Sequence, residues 1–161
     1  MTIGQALERL QMQCCRCEYS TGQIRKKLSL WDLRERRNGK SGFLPQEMDE
    51  VVEALVKGKF VDDSRFAGAY VRDKARFAKW GPAKIEYNLK MLGVEPQVIK
   101  MAIDENVDLF GSDALEDMLF KKWKSLKDGD SLQSKKSKLV RFALGRGYRY
   151  EQIMEIIKKL G

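Results

Sequence analysis

Apolar positions recur at three- and four-residue intervals along nearly the whole chain, and no segment sustains the two-residue alternation of a half-buried strand. Val51, Val52, Leu55 and Val56 share one helical face, as do Ile85, Leu89 and Leu92, and as do Ile153, Ile156, Ile157 and Leu160. Pro45, Pro82 and Pro96 stand where such stretches begin, in the first turn, where a missing N–H costs nothing. Gly93 and Gly147 follow amphipathic stretches and suit left-handed helix ends. Ser20-x-x-Gln23 reads as a capping box, and Asp62-Asp63-Ser64 places acidic caps before Arg65. These signals predict nine helices in three groups. The first is about 2–17, 20–37 and 45–58, the second about 63–79, 82–92 and 95–107, the third about 112–127, 134–146 and 150–160.

The groups are copies of one pattern. Shifted by 54 positions, Ile85 falls on Leu139, Gly93 on Gly147, Val94 on Tyr148 and Ile99 on Ile153. A more degenerate copy runs from Ser20 to Met48. Self-similarity at this period argues for a stack in which each unit buries its neighbour's apolar face. The expected fold is all-α: three tandem three-helix repeats forming an elongated, curved array of undetermined hand. The repeats fall at 1–60, with an extra loop at about 34–43, at 61–108 and at 109–161. Arrays of this kind present long surfaces, so a binding protein is the first expectation.

Composition narrows the partner. The 161 residues are 43% hydrophobic and 34% charged, enough for a core and a large solvated surface, and the net charge is +8. There is no run of 18 apolar residues, and MTIGQALERLQMQ at the N-terminus has no secretory stretch, which reads as a cytoplasmic protein. Cys14, Cys15 and Cys17 cluster within four residues, and the chain has no histidine. Three clustered thiols without a fourth ligand do not suit tetrahedral zinc, so no metal is expected, and the thiols read as reduced and partly buried at the end of the first helix. Without histidine the commonest general base is missing, and no catalytic constellation or cofactor motif stands out. Asn38-Gly39-Lys40-Ser41 imitates the end of a phosphate-binding loop, but Arg34 occupies the position of its first glycine and a helix precedes it. The surrounding Arg34–Gly42 stretch reads as an extended loop or a frayed helix end. Phe66, Tyr70, Phe77 and Trp80 recur near helical spacing, with core packing as their default role and base stacking as the alternative.

Charge is segregated. From Met101 to Phe120 there are six acids and no base, and from Lys121 to Arg149 ten bases against Asp128 and Asp130. The middle helix of each group, with the end of the helix before it, is basic. The candidate contacts with a polyanion are therefore Arg25, Lys26, Arg36 and Arg37 in the first group. In the second they are Arg72, Arg76, Lys79, Lys84 and Lys90, and in the third Lys135, Lys136, Lys138, Arg141 and Arg146. Aligned by stacking, they would make one basic stripe; unaligned, they are scattered solvated faces.

Phe60-Val-Asp-Asp-Ser-Arg-Phe-Ala67 followed by Trp80-Gly-Pro-Ala-Lys-Ile85 resembles the RecX family, regulators of the RecA recombinase. Arg16-Cys-Glu-Tyr-Ser20, Ile24-x-x-Lys-Leu28, Trp31-Asp-Leu33 and Arg141-Phe-Ala-x-Gly-Arg-Gly-Tyr148 match in the same order, across roughly residues 12–160. RERRNGKSGF departs from the family pattern, which passes almost directly from the Trp31 region to the helix near Pro45. The resemblance implies a non-enzymatic, mainly inhibitory modulator acting in recombination, DNA repair and the SOS response. It would lodge, as a monomer without cofactor, in the groove of the RecA filament on single-stranded DNA, and limit ATP hydrolysis and strand exchange. It also implies structural roles for the motif residues. Asp62 and Asp63 look like caps, and Trp80 and Ile85 like core, with Gly81, Pro82, Gly93 and Gly147 in the same structural set. The alternatives are a general nucleic-acid-binding helical repeat protein independent of recombinase, and a pure protein-interaction scaffold.

Overall fold

The computed structural model describes residues 1–160, and every regular element among them is helical. In chain order these are α1 (Ile3–Cys14), α2 (Thr21–Arg37), α3 (Pro45–Lys57), α4 (Asp63–Arg76), α5 (Pro82–Met91), α6 (Pro96–Asp104), α7 (Ser112–Ser125), α8 (Leu132–Gly145) and α9 (Tyr150–Ile157). A short 3-10 turn at Val107–Phe110 precedes α7. Each of the three prolines is the first residue of its helix. Among the described residues, no helix is long and apolar enough to cross a membrane.

Four helices end in the same way, and three of those ends use glycine. Gly39 after α2 (φ 76°) is left-handed, with Lys40 N–H on the Glu35 carbonyl at 3.1 Å. Gly93 after α5 (φ 77°) and Gly147 after α8 (φ 91°) are left-handed, and the next amide returns to the last turn: Val94 to the Leu89 carbonyl, Tyr148 to that of Ala143. After α3 the left-handed position is Lys59 (φ 59°), and Phe60 closes onto Leu55 at 2.9 Å. Lys79 (φ 57°) likewise stops α4 three residues short of the end its spacing predicts.

The chain forms two compact units. The first comprises Met1–Ala67 and Leu89–Ile99, the second Gly68–Asn88 and the chain from Lys100 onward, so the dividing lines fall inside α4, α5 and α6. In the first unit α3 packs on α1 and α2 around Ala6, Leu10, Ile24, Leu28, Phe43, Val51, Val52 and Leu55. The capping box at Ser20 is closed: Gln23 N–H donates to Ser20 Oγ at 3.1 Å, and Ser20 N–H to Gln23 Oε1 at 3.0 Å. Ser20 Oγ also donates to the Leu92 carbonyl, which brings the end of α5 onto the start of α2.

In the second unit α8 packs on α7 and α9 around Leu115, Leu119, Leu139, Ala143, Ile153, Ile156 and Ile157. Here the start of α5 receives the end of α8. Gly81 N–H donates to the Arg146 carbonyl, and Ala83 N–H to that of Gly147 at 3.2 Å. The same connection thus recurs at the repeat spacing: the opening of one middle helix takes up the carbonyls at the end of the next. Groups that a helix terminus leaves unpaired are satisfied, and opposite dipole ends meet.

Several expectations change. Within Arg34–Gly42 the first four residues are helical, because α2 continues through Arg37, and the connection begins only at Asn38 with a hydrogen-bonded turn, Lys40 N–H on the Glu35 carbonyl. Asp32 organises it, accepting from Phe43 N–H at 2.7 Å and from Arg36 Nε at 2.9 Å. Glu35, buried there, meets the Met1 ammonium at 2.6 Å and Lys40 at 3.1 Å. Phe77 is not core: it lies just beyond α4, out of the helical register, and is 83% exposed. Trp80 is half-buried rather than core, while Phe66 is buried. Of the thiols only Cys14 is half-buried; Cys15 and Cys17 follow the last helical residue and are exposed.

Candidate functional site

In the first unit the structure sorts the candidate bases by what holds them. Arg25 is paired with Asp49, and Arg36 bonds Asp32 and donates to the Phe43 carbonyl at 3.1 Å, so both have partners. The Arg36 guanidinium and the Phe43 amide hold the Asp32 carboxyl below its usual range, and the Glu35 carboxylate raises Lys40 above its own. Lys26 and Arg37, by contrast, are exposed and form no ion pair among the described residues. Lys26 lines a groove of about 410 Å³ with Tyr19, Gln23, Lys27, Leu30 and Met91. Lys27 Nζ sits 4.6 Å from the centre of the Tyr19 ring and 3.0 Å from Gln13 Oε1. Lys90 is exposed on α5.

The motif carboxylates divide similarly. Asp62 accepts from Arg65 N–H at 3.0 Å and caps α4. Asp63 turns to another helix: it accepts from Thr21 N–H at 2.8 Å and from Thr21 Oγ1 at 2.6 Å, placing a carboxylate at the N-terminus of α2.

In the second unit Lys84 is held in place. Its ammonium lies 4.5 Å from the centre of the Trp80 ring and donates to the Gly145 carbonyl at 3.1 Å, while Lys74 Nζ is 4.8 Å from the same ring. Trp80 is therefore a half-buried ring in contact with two cations. Its neighbour Gly81 abuts Gly147, and Ile85 is fully buried. Lys135 lies over Trp123 at 5.4 Å, Lys138 pairs with Asp130, and Lys136 is half-buried. Arg72 and Arg141 are exposed and form no ion pair among the described residues.

Three of the predicted bases come together. Arg76, Lys79 and Arg146 line one cavity of about 540 Å³, joined there by Lys121 and Lys122 from α7. Arg146 donates to the Ala78 carbonyl and lies 5.2 Å from the centre of the Phe142 ring, with Lys122 at 5.1 Å from it. Burial raises the Tyr148 hydroxyl above its usual range. Lys121, Lys122 and Phe142 are members of this site that charge segregation did not single out. The two lysines open the basic run, but only the packing of α7 against α8 brings them to Arg146.

Two family models match this chain, those for the second three-helix domain of RecX over residues 62–103 and for the third over residues 112–157. The chain belongs to the RecX family. It is similar to regulatory protein RecX of Clostridium acetobutylicum, 32% identical over 126 residues, covering 73% of this chain and 56% of the relative. The RecX of Clostridium tetani is 30% identical over 124 residues, covering 74% and 55%. The chain thus spans a little over half the length of these curated relatives. The crystal structure of RecX from Lactobacillus salivarius superposes with a TM-score of 0.81 at 20% identity, covering 98% of this chain and 96% of that one, a likeness of fold.

Proposed function

We propose that this chain is a non-enzymatic modulator, mainly an inhibitor, of the RecA recombinase. It binds the filament of RecA on single-stranded DNA in its groove, in the cytoplasm and as a monomer, and limits ATP hydrolysis and strand exchange. RecX membership supplies the partner. The observation that carries the reading on this chain is the exposure, without ion pairs among the described residues, of Lys26 and Arg37 on α2, Arg72 on α4, and Arg141 on α8. Cations left without carboxylate partners are available to phosphates, which bind them with release of counterions.

The repeats at 1–60, 61–108 and 109–161 are then the units that engage successive parts of the filament. Engaging more than one protomer gives preference for the polymer over free recombinase through effective concentration. Holding neighbouring protomers in one arrangement opposes the motions of turnover, because a ligand favours the state it binds better.

The test is RecA ATPase on single-stranded DNA, titrated with this protein, beside its binding to filament and to naked DNA at moderate salt. Inhibition with clear filament preference is the expected result. Equal binding to naked DNA with no effect on ATPase would make the chain a general nucleic-acid binder.

A further inference from the structure

The cavity in the second unit has an apolar floor and a basic rim. Ala75, Met118 and Tyr148, all buried, form the floor, with Leu109 and Ala114 beside them. Five bases, Arg76, Lys79, Lys121, Lys122 and Arg146, stand around it against two acids, Asp108 and Asp117. Asp117 is already engaged by Lys121 at 2.9 Å. A volume of about 540 Å³ admits side chains, not merely solvent.

The occupant has to satisfy both features. A sugar–phosphate backbone would meet the cations but has nothing to lay on the floor. A nucleobase would use the floor by stacking, which needs a free aromatic face. Neither aromatic offers one: Phe142 carries Lys122 and Arg146 at 5.1 and 5.2 Å from its ring centre, and Tyr148 is only 5% exposed. An aliphatic side chain needs no such face, and flanking carboxylates complement the rim.

We infer that this cavity is a docking site for an acidic amphipathic segment of a protein partner. One or two aliphatic side chains of that segment lie on Ala75 and Met118, and its carboxylates reach Arg76 and Lys79. Arg146 is pre-positioned, because the Ala78 carbonyl and the Phe142 ring already hold its guanidinium. Helix-in-groove recognition of this type reads apolar anchors for specificity and charge for orientation. The inference goes beyond the filament reading by separating the bases into two classes. Those around the cavity face a protein, whereas Arg72 and Arg141, with no apolar floor beside them, are left to phosphates.

The experiment uses the full chain and three labelled probes, followed by fluorescence anisotropy. The first is a designed helical peptide of about sixteen residues with Glu on one face and Leu at i, i+3, i+4 and i+7. The second has the same charges with Ser for Leu, and the third is an oligothymidine. The Leu peptide is expected to bind about tenfold or more tighter than the Ser peptide, since each buried aliphatic side chain adds favourable transfer free energy. Ala114→Trp, which fills the cavity from an exposed position, and the paired exposed substitutions Arg76→Glu and Lys79→Glu should each weaken the Leu peptide about tenfold. Equal binding of the two peptides would overturn the inference. So would an unaffected Leu peptide in either folded variant, or displacement of that peptide by oligothymidine. Self-association in sedimentation that disappears in Ala114→Trp would assign the cavity to a second copy of the chain and also overturn it. No recombinase enters the assay, so failure here leaves the filament proposal standing, and loss of ATPase inhibition leaves this one standing.

Discussion

Gly22 and Gly93 meet backbone to backbone: a Cβ on Gly22 would stand 2.5 Å from the Cα of Gly93, and one on Gly93 would stand 2.6 Å from the Cα of Gly22. The start of α2 and the turn after α5 can approach this closely only because both residues lack side chains. Gly81 and Gly147 make the corresponding approach in the second unit, where a Cβ on Gly81 would stand 2.5 Å from the Gly147 carbonyl oxygen.

Gly22→Ala should therefore lower stability by about 1–3 kcal/mol, since the obstruction is backbone that no rotamer change can relieve. Gly145→Ala is the control. That residue ends α8 with open space around it, and the substitution should be neutral or stabilising by up to about 1 kcal/mol. Thermal melts of the two variants decide between close approach and simple helix propensity.

Lys59 holds a left-handed conformation that glycine adopts without strain. Lys59→Gly should raise stability by about 1 kcal/mol, because the native hydrogen bond from Phe60 N–H to the Leu55 carbonyl is kept. A lower urea midpoint for this variant would show that the lysine side chain contributes something the backbone argument omits.

The turn after α2 should be acid-sensitive through Asp32. Its carboxyl is held below the usual range by Arg36 and by Phe43 N–H, so the folded state favours the charged form. That contribution is complete above the unfolded-state value near 3.8 and disappears as pH falls through the lower folded-state value. Asp32→Asn should melt below the wild type at pH 7, and the gap should close progressively below about pH 4. A gap that is constant with pH would assign the effect to hydrogen-bond geometry alone.

Lys84 and Arg141 should separate stability from binding. Lys84→Glu removes the cation from the Trp80 ring and the bond to Gly145, and should cost about 1–2 kcal/mol of stability. Arg141→Glu, at an exposed position without an ion pair among the described residues, should leave the melt within about 0.5 kcal/mol and weaken filament binding. The slope of log affinity against log salt should fall by about one for each phosphate that is no longer bound. Replacing Lys135, Lys136, Lys138 and Arg141 together by Glu should lower filament affinity further; unchanged affinity in a folded variant would refute this surface.

Much of the architecture was legible in the chain because it rests on local chemistry. Three- and four-residue spacing set the helices, prolines marked three of their starts, and Gly93 and Gly147 marked two of their ends, since only glycine is left-handed there without strain. The Ser20 capping box was readable for the same reason: its partners are three residues apart. Lys59 and Lys79 gave no such sign, because a lysine takes a left-handed conformation only when the surrounding hydrogen bonds impose it.

The division of the basic residues was a matter for the tertiary structure. Net charge and its segregation pointed to an anionic partner, but sequence cannot distinguish Arg141 in solvent from Lys84 on Trp80, or Lys26 in its groove from Arg25 on Asp49. Lys121 and Arg146 are distant in the chain and meet because α7 and α8 bury Leu115, Leu119, Leu139 and Ala143 against one another. Arg76 joins them because Arg146 donates to the Ala78 carbonyl and its own carbonyl accepts from Gly81 N–H. Helix periodicity is a property of neighbouring residues, whereas the availability of a charge depends on whichever distant group folding places beside it.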